Sequence, residues 1–451
     1  MQEKITGVVE ISPATLNITQ KIKNVSDFKE RIGEFLEKSV TEFSEVILSG
    51  GIHLEASDIH IEPREKESKI RVRIDGILQD VLNFDLKTYQ GLLNRIKLLS
   101  GLKLNIADRP QDGRFSILIE KTAVAETSSH LPPRLASRGS VIEIRTSVLP
   151  AEYGETIVLR ILNPKALIEL TALGLREDLL EIFEKEIKKP NGMIIVTGPT
   201  GSGKTTTLYA FLKKVQTPEI KIITIEDPIE YHLEGISQTQ VEPKKGYDFA
   251  SGLKSIMRQD PDAILVGEIR DLETAEIALQ AALTGHLVFT TLHTNDAAGT
   301  VARLTSLGAK PTNIGPAINM AIAQRLVREV CKKCGELKKV NPQELAKIKR
   351  GLKGIPSRIK IPKIDPSLKV PKAKGCKACN LTGYRGRAGV FEAFLVDEEM
   401  EKFILMNPSI GALRKEAEKR GMVTMQQDGL IKVLNGMTTI EEVERITGPI
   451  K

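Results

Sequence analysis

One ten-residue stretch limits this chain more than any other: G198-P-T-G-S-G-K-T-T-T207, entered from the apolar run M193-I-I-V-T197. Its spacing fits G-x-x-x-x-G-K-[ST], with Gly198, Gly203, Lys204 and Thr205 at the defining positions, and the preceding run reads as a buried strand. Strand, tight loop and helix in that order require an α/β sheet whose strand ends carry the site. Gly198, Gly201 and Gly203 let successive N–H groups converge on phosphate oxygens, and a helix starting near Lys204 aims its positive end at the same charge. In that frame Lys204 neutralises the β and γ phosphates of ATP, the Thr205 hydroxyl ligates Mg²⁺, and Thr206 reaches the α phosphate. The competing reading, a purely structural strand-to-helix turn, is disfavoured by the strand in front of it.

After Asn163-Pro164 apolar strands alternate with helical patterns, the signature of a parallel sheet covered on both faces. Four strands are named: M193-I-I-V-T197, K221-I-I-T-I225, A263-I-L-V266 and L287-V-F-T-T-L292. Each ends in a polar or ionisable cluster, and ligands of open α/β sheets bind at such carboxyl ends. I225-E-D-P-I-E-Y231 supplies Glu226, Asp227 and Glu230, of which one carboxylate can align a water against the γ phosphorus. In I264-L-V-G-E-I-R-D271, Glu268 is positioned to hold the Mg²⁺ hydration shell, with Arg270 two residues on. His286 and His293 bracket the fourth strand and are expected to sense the γ phosphate. Ahead of this region, D27–L48 reads as one amphipathic helix and Tyr89–Leu99 as another. Strand-like runs at 58–61, 69–75, 77–82, 115–119, 141–145 and 155–161 complete an α+β domain. A polar, Pro-containing excursion is expected between Glu120 and Ser140.

Every cysteine falls in one of two pairs, C331-K-K-C334 and C376-K-A-C379, which read as one closed four-thiolate Zn²⁺ site; disulfides or a redox pair are the alternative. No stretch approaches the ~20 apolar residues of a membrane span, and the N-terminus lacks a signal-peptide pattern. A near balance of 65 basic and 58 acidic residues does not imply a nucleic-acid partner, and 4% aromatics with no Trp leave few platforms for stacking bases.

With these residues in place, the chain resembles the hexameric ATPases of type II secretion and type IV pilus assembly over about residues 26–451. I223-T-I-E-D-P-I-E-Y231, R258-Q-D-P-D-A-I-L-V-G-E-I-R-D271 and G285-H-L-V-F-T-T-L-H-T-N295 look like that family's acidic, Walker B and histidine boxes. S57-D-I-H-I-E-P63, R71-V-R-I-D-G76 and R109-P-Q-D-G-R-F115 look like the domain preceding its core. The resemblance implies Glu226 as catalytic base, Glu268 as the Mg²⁺ carboxylate, and Arg145 and Arg160 as arginines reaching the nucleotide from the N-terminal domain. It implies a nucleotide-contacting set of Gly198, Thr200, Gly201, Ser202, Gly203, Lys204, Thr205, Thr206, Asp227, Glu230, Arg258 and Arg270. The expected divisions are a tail (1–25), an α+β domain (26–163), a linker (164–172), a RecA-like core with a parallel sheet (173–330), a zinc module (331–381) and a helical C-terminal domain (382–451). About 25 residues stand where family members commonly carry a further docking domain.

The implied protein is a homo-hexameric motor at the cytoplasmic face of the inner membrane, working with a platform protein and a membrane-anchored docking protein. Retraction ATPases resemble the chain but lack the four-cysteine insert. A nucleic-acid motor sharing the sheet, and a scaffold that binds ATP without hydrolysing it, are the other readings. Cys331–Cys376 carries fourteen Lys and Arg against three acidic residues, a local net of +11. With five prolines, it is expected as an extended loop with a short helix near Glu344–Arg350. It either faces the anionic membrane surface or an acidic loop of the platform protein, or is merely solvated.

Overall fold

The structure is a computed structural model describing residues 7–119, 140–163 and 169–450, so the expected excursion between Glu120 and Ser140 and linker residues 164–168 lie outside the described residues. The chain divides into two compact units, Met1–Lys165 with Lys374–Gly383, and Ala166–Ala373 with Tyr384–Lys451.

The first unit is built on β1 (Val8–Glu10), β2 (Asp58–Pro63), β3 (Ser68–Ile74), β4 (Ile77–Phe84), β5 (Gln111–Ile119), β6 (Ser140–Ala151) and β7 (Gly154–Leu162). The sheet order is β1-β5-β6-β7-β2-β3-β4. Alternation sends Ile59 and Ile61 of β2 into a core with Phe28, Ile47 and Phe115, while Asp58, His60 and Glu62 share the other face. Two expectations are corrected here. Residues 7–22 are not a tail: β1 pairs in parallel with β5, and Val9, Ile11, Leu16 and Ile22 are buried in the core. The stretch from Asp27 to Leu48 is two helices, Val25–Gly33 and Val40–His53, because Ser39 and Glu42 form a capping box that starts a new helix.

The second unit carries β8 (Gly192–Thr197), β9 (Ile222–Glu226), β10 (Ser237–Gln240), β11 (Ala263–Val266), β12 (Leu287–Leu292), β13 (Ile318–Val330) and β16 (Tyr384–Leu395), with β14 (Glu336–Lys339) and β15 (Lys369–Lys372) as a separate ladder. The main order is β10-β9-β11-β12-β8-β13-β16, parallel except for the antiparallel β13–β16 pair. All six residues of β8 are buried, as a central parallel strand covered by helices on both faces requires. Helices Phe249–Ile256 and Leu272–Leu283 cover one face. Helices Glu177–Glu186 and Lys204–Val215 cover the other. Residues 384–395, expected to open the helical C-terminal region, are strand β16 of this sheet, and Met400, Ile404 and Leu413 beyond it join the same core.

The basic stretch between the cysteine pairs forms the short helix expected near Glu344–Arg350, and the β14–β15 ladder is an element the sequence reading did not include. Asn341 and Glu344 cap a helix over Pro342–Gly351, with Pro342 in its first turn where no N–H is needed. Ile348 and Leu352 of this segment, with Val370 of β15, bury against Leu430 and Val443 of the last helices. Lys347 pairs with Glu444 at 2.8 Å and Lys372 with Glu441 at 3.0 Å.

Candidate active site

The glycine loop leaves β8 with Gly198, Gly201 and Gly203 at φ of +149°, +78° and +87°, a region that side chains rarely adopt. A Cβ on Gly198 would lie 2.5 Å from the carbonyl oxygen of Gln324, and one on Gly203 would lie 2.9 Å from its Nε2. Gln324, on β13 beside β8, thus forms the floor of the loop, and its Oε1 accepts from Thr207 Oγ1 at 2.7 Å. Sequence reasoning missed it, since only the β8–β13 register brings it there. The helix Lys204–Val215 starts with no side-chain cap, and the buried Ser202 Oγ has no hydrogen-bond partner. Donors left open at a helix N-terminus fit a polyphosphate. Lys204 Nζ donates to the carbonyls of Gly198 (2.8 Å) and Pro199 (3.3 Å). Burial lowers its pKa, and the nearby Glu268 carboxylate pulls the other way.

Around the loop the strand ends gather charge. Glu268 follows β11, pairs with the Arg270 guanidinium and lies 3.4 Å from His293 Nε2. Arg270 also stands 3.6 Å from Asp227, and its pKa is raised by its bond to Glu268. Thr197, the last residue of β8, shares a 2.8 Å hydrogen bond with Thr294, pinning the segment after β12 to the base of the loop. Lys204, Thr205, Glu268, Arg270, Asp227 and His293 therefore belong to one edge of the sheet. Thr205 in the first helical turn and Glu268 are both half-buried and offer oxygen ligands of the kind Mg²⁺ takes.

Glu226 is enclosed by its neighbours, and two other expected residues stand away from this edge. Glu226 is only 4% exposed. Its carboxylate accepts from Thr224 Oγ1 (2.5 Å), Gln238 Nε2 (3.2 Å) and the Tyr209 hydroxyl, in the layer between sheet and helix. It closes β9, and the three donors hold its carboxylate in that layer. His286 precedes β12 and shares a 3.1 Å hydrogen bond with the carbonyl of Ala281. An extended strand puts it about 23 Å from His293, at the far edge of the sheet. Arg258 bonds locally to Lys254 O (3.1 Å) and Ser255 Oγ (3.2 Å) before the start of β11, so it too lies away from the strands' carboxyl ends. In the first unit, Arg145 sits opposite Arg114 and Arg160, and Arg160 opposite Asp58, in one cross-strand row. Asp58 Oδ1 accepts from Arg160 at 3.1 Å, and Arg73 lies 3.3 Å from Oδ2.

The ligand sulfurs of Cys331, Cys334, Cys376 and Cys379 lie within 4.8 Å of one another. Zn–S bonds of about 2.3 Å in a tetrahedron imply sulfurs about 3.8 Å apart, and Cys376 and Cys379 stand 3.7 Å apart. The N–H groups of Cys376 (3.1 Å) and Gly383 (3.3 Å) donate to Cys379 Sγ. The cluster can hold zinc as a closed structural site.

A glycine loop with its lysine and threonine on the central strand of a parallel sheet, with an acidic residue two places past the end of the next strand but one, defines a P-loop ATPase. The chain belongs to the type II/IV secretion system protein family, whose model matches residues 35–141 and 134–445. It is 39% identical over 447 residues to the type II secretion system protein E of Xanthomonas campestris, covering 98% of this chain and 72% of that protein. Over 395 residues it is 44% identical to the type II secretion system ATPase E of Vibrio cholerae, covering 87% of this chain and 72% of that one. It is 40% identical to the type IV pilus assembly ATPase PilB of Thermus thermophilus over 91% of this chain and 43% of the relative. A solved structure of the pilus retraction motor PilT with bound ADP matches at a TM-score of 0.56 and 26% identity, covering 89% of this chain and 95% of that one.

Proposed function

We propose that this ATPase powers assembly of pilin or pseudopilin subunits in a type II secretion or type IV pilus machine, as a ring of six copies at the cytoplasmic face of the membrane. The observation that carries the reading is the strand-edge cluster of Lys204, Glu268, Arg270 and His293 within a chain so similar to secretion and assembly ATPases. Identity of 39–44% to type II secretion proteins E, against 26% to a retraction motor, favours assembly over retraction.

In this reading loop N–H groups and Lys204 bind the phosphates, and Thr205 and Glu268 hold Mg²⁺ directly or through its water. The metal, when bound, supplies positive charge against the charge developing in phosphoryl transfer. Arg145 and Arg160 are assigned to bring further positive charge to the γ phosphate. Among the carboxylates of the acidic loop, Glu226 is enclosed by its bonds and Asp227 is drawn to Arg270. Glu230, half-buried on the same loop, is the residue assigned to align the attacking water. Partners are an inner-membrane platform protein and a membrane-anchored docking protein. Exposed Lys349, Arg350 and Lys353 on and beside the capped helix offer positive charge to anionic headgroups.

The test is the ATPase rate with membranes bearing a type II or type IV pilus platform protein, with bare membranes, and with single-stranded DNA. Stimulation only by the platform is expected, and none for Lys204→Ala. Equal rates in all three would contradict the proposal, and stimulation by DNA alone would favour a nucleic-acid motor.

A further inference from the structure

Four elements meet at the buried carboxylate of Glu226. Thr224 precedes it on β9, Tyr209 comes from the middle of the helix that begins at Lys204, and Gln238 comes from β10. Gln238 Nε2 also donates to Tyr231 O at 3.0 Å, and its Oε1 accepts from Leu233 N at 2.7 Å, so the segment after the acidic loop is tied to the same point. The rings of Tyr209 and Tyr231 add an edge-to-face contact with centroids 6.3 Å apart. One residue past Glu226, Asp227 faces Arg270, which in turn pairs with Glu268.

We propose that Glu226 is a positioning residue, which through Tyr209 locks the phosphate-loop helix to the acidic loop so that Asp227, Arg270 and Glu268 hold their places relative to Lys204. The proposal rests on ATP hydrolysis at this loop, and it accounts for a buried carboxylate that the chemistry does not use. Burial raises the pKa values of both Glu226 and Tyr209, and the three donors to the carboxylate partly offset this for Glu226. A network in which every polar atom has a partner is stiff, and it fails sharply when one partner is removed.

The test is a double-mutant cycle on the full chain, reading kcat and ATP affinity for Tyr209→Phe, Glu226→Gln and the pair. A glutamine keeps an acceptor for Thr224 and Gln238 and offers an N–H to the Tyr209 hydroxyl, so kcat of E226Q falls by no more than about fivefold, whereas losing a general base costs about 10²-fold or more. Y209F leaves a buried oxygen without its donor and lowers kcat by about tenfold with ATP affinity unchanged. The double variant is no worse than Y209F, because both act through one network. A hundredfold loss in E226Q with ATP still bound, additive losses in the pair, or a Y209F indistinguishable from wild type would each overturn the proposal. Turnover that survived Lys204→Ala would overturn the site assignment itself.

Discussion

The carboxyl ends of β9 and β11 are neighbours, and each is followed or closed by a glutamate, yet the two glutamates live in different chemistry. Glu226 is the last residue of β9, so its side chain stays within the pleat and turns into the layer beneath the phosphate-loop helix. Glu268 comes two residues after the end of β11 and has left the sheet. Gly267 makes that step possible: its N–H donates to Ile225 O at 2.8 Å, and a Cβ there would lie 3.2 Å from that oxygen. Position relative to the strand end, more than residue type, decides which carboxylate meets Lys204 and Arg270.

This contrast can be broken most forcefully at the chemical end. Glu230→Gln should lower ATP turnover by about 10²-fold or more while ATP binding persists, as loss of a water-aligning base does. Turnover near wild type would return the base role to another carboxylate. Next in size is the metal cluster, which stands outside the contrast. Purified protein should carry one zinc per chain, and Cys379→Ser should lose it and melt several degrees lower, with the E226Q to E268Q activity ratio unchanged. Zinc retained in that variant would argue against the four-thiolate site. Smaller again is Asp227→Asn, which weakens the attraction to Arg270 across 3.6 Å and should cost turnover a few-fold. A loss as large as that of Glu230→Gln would show Asp227 to be the catalytic carboxylate.

The smallest effect is on stability with pH. Burial raises the Glu226 pKa above its ordinary 4.5. Between that value and the raised one the folded chain keeps a proton that the unfolded chain has lost, so stability falls as pH rises through this window. Glu226→Gln removes that fall, so its melting temperature relative to wild type should rise with pH above about 4.5 and then level off. A flat difference would indicate that Glu226 titrates alike in both states.

Much of this was legible in the sequence because local rules agreed. The loop follows an apolar run, the four named strands formed close to their expected bounds, and the paired cysteines converged. What was not legible depended on faces and edges. His286 and His293 are symmetrical about a strand in sequence, but a strand has two ends and only one carries the site. Glu226 and Glu268 both suit catalysis by type, and only side-chain direction separates them. Gln324 carries no motif at all and lies under the loop by register alone. In the basic stretch the short helix was legible, but its charge count showed neither the β14–β15 ladder nor the burial of Ile348 and Leu352.

Whether the β11 end handles the metal-bound phosphates while the β9 glutamate positions the loop is decided by the Mg²⁺ dependence of ATP affinity in Glu268→Ala and Glu226→Gln measured side by side. Glu268→Ala should lose the increment Mg²⁺ adds to ATP binding, and Glu226→Gln should keep it. The same loss in both variants, or a loss confined to Glu226→Gln, would contradict that division of roles.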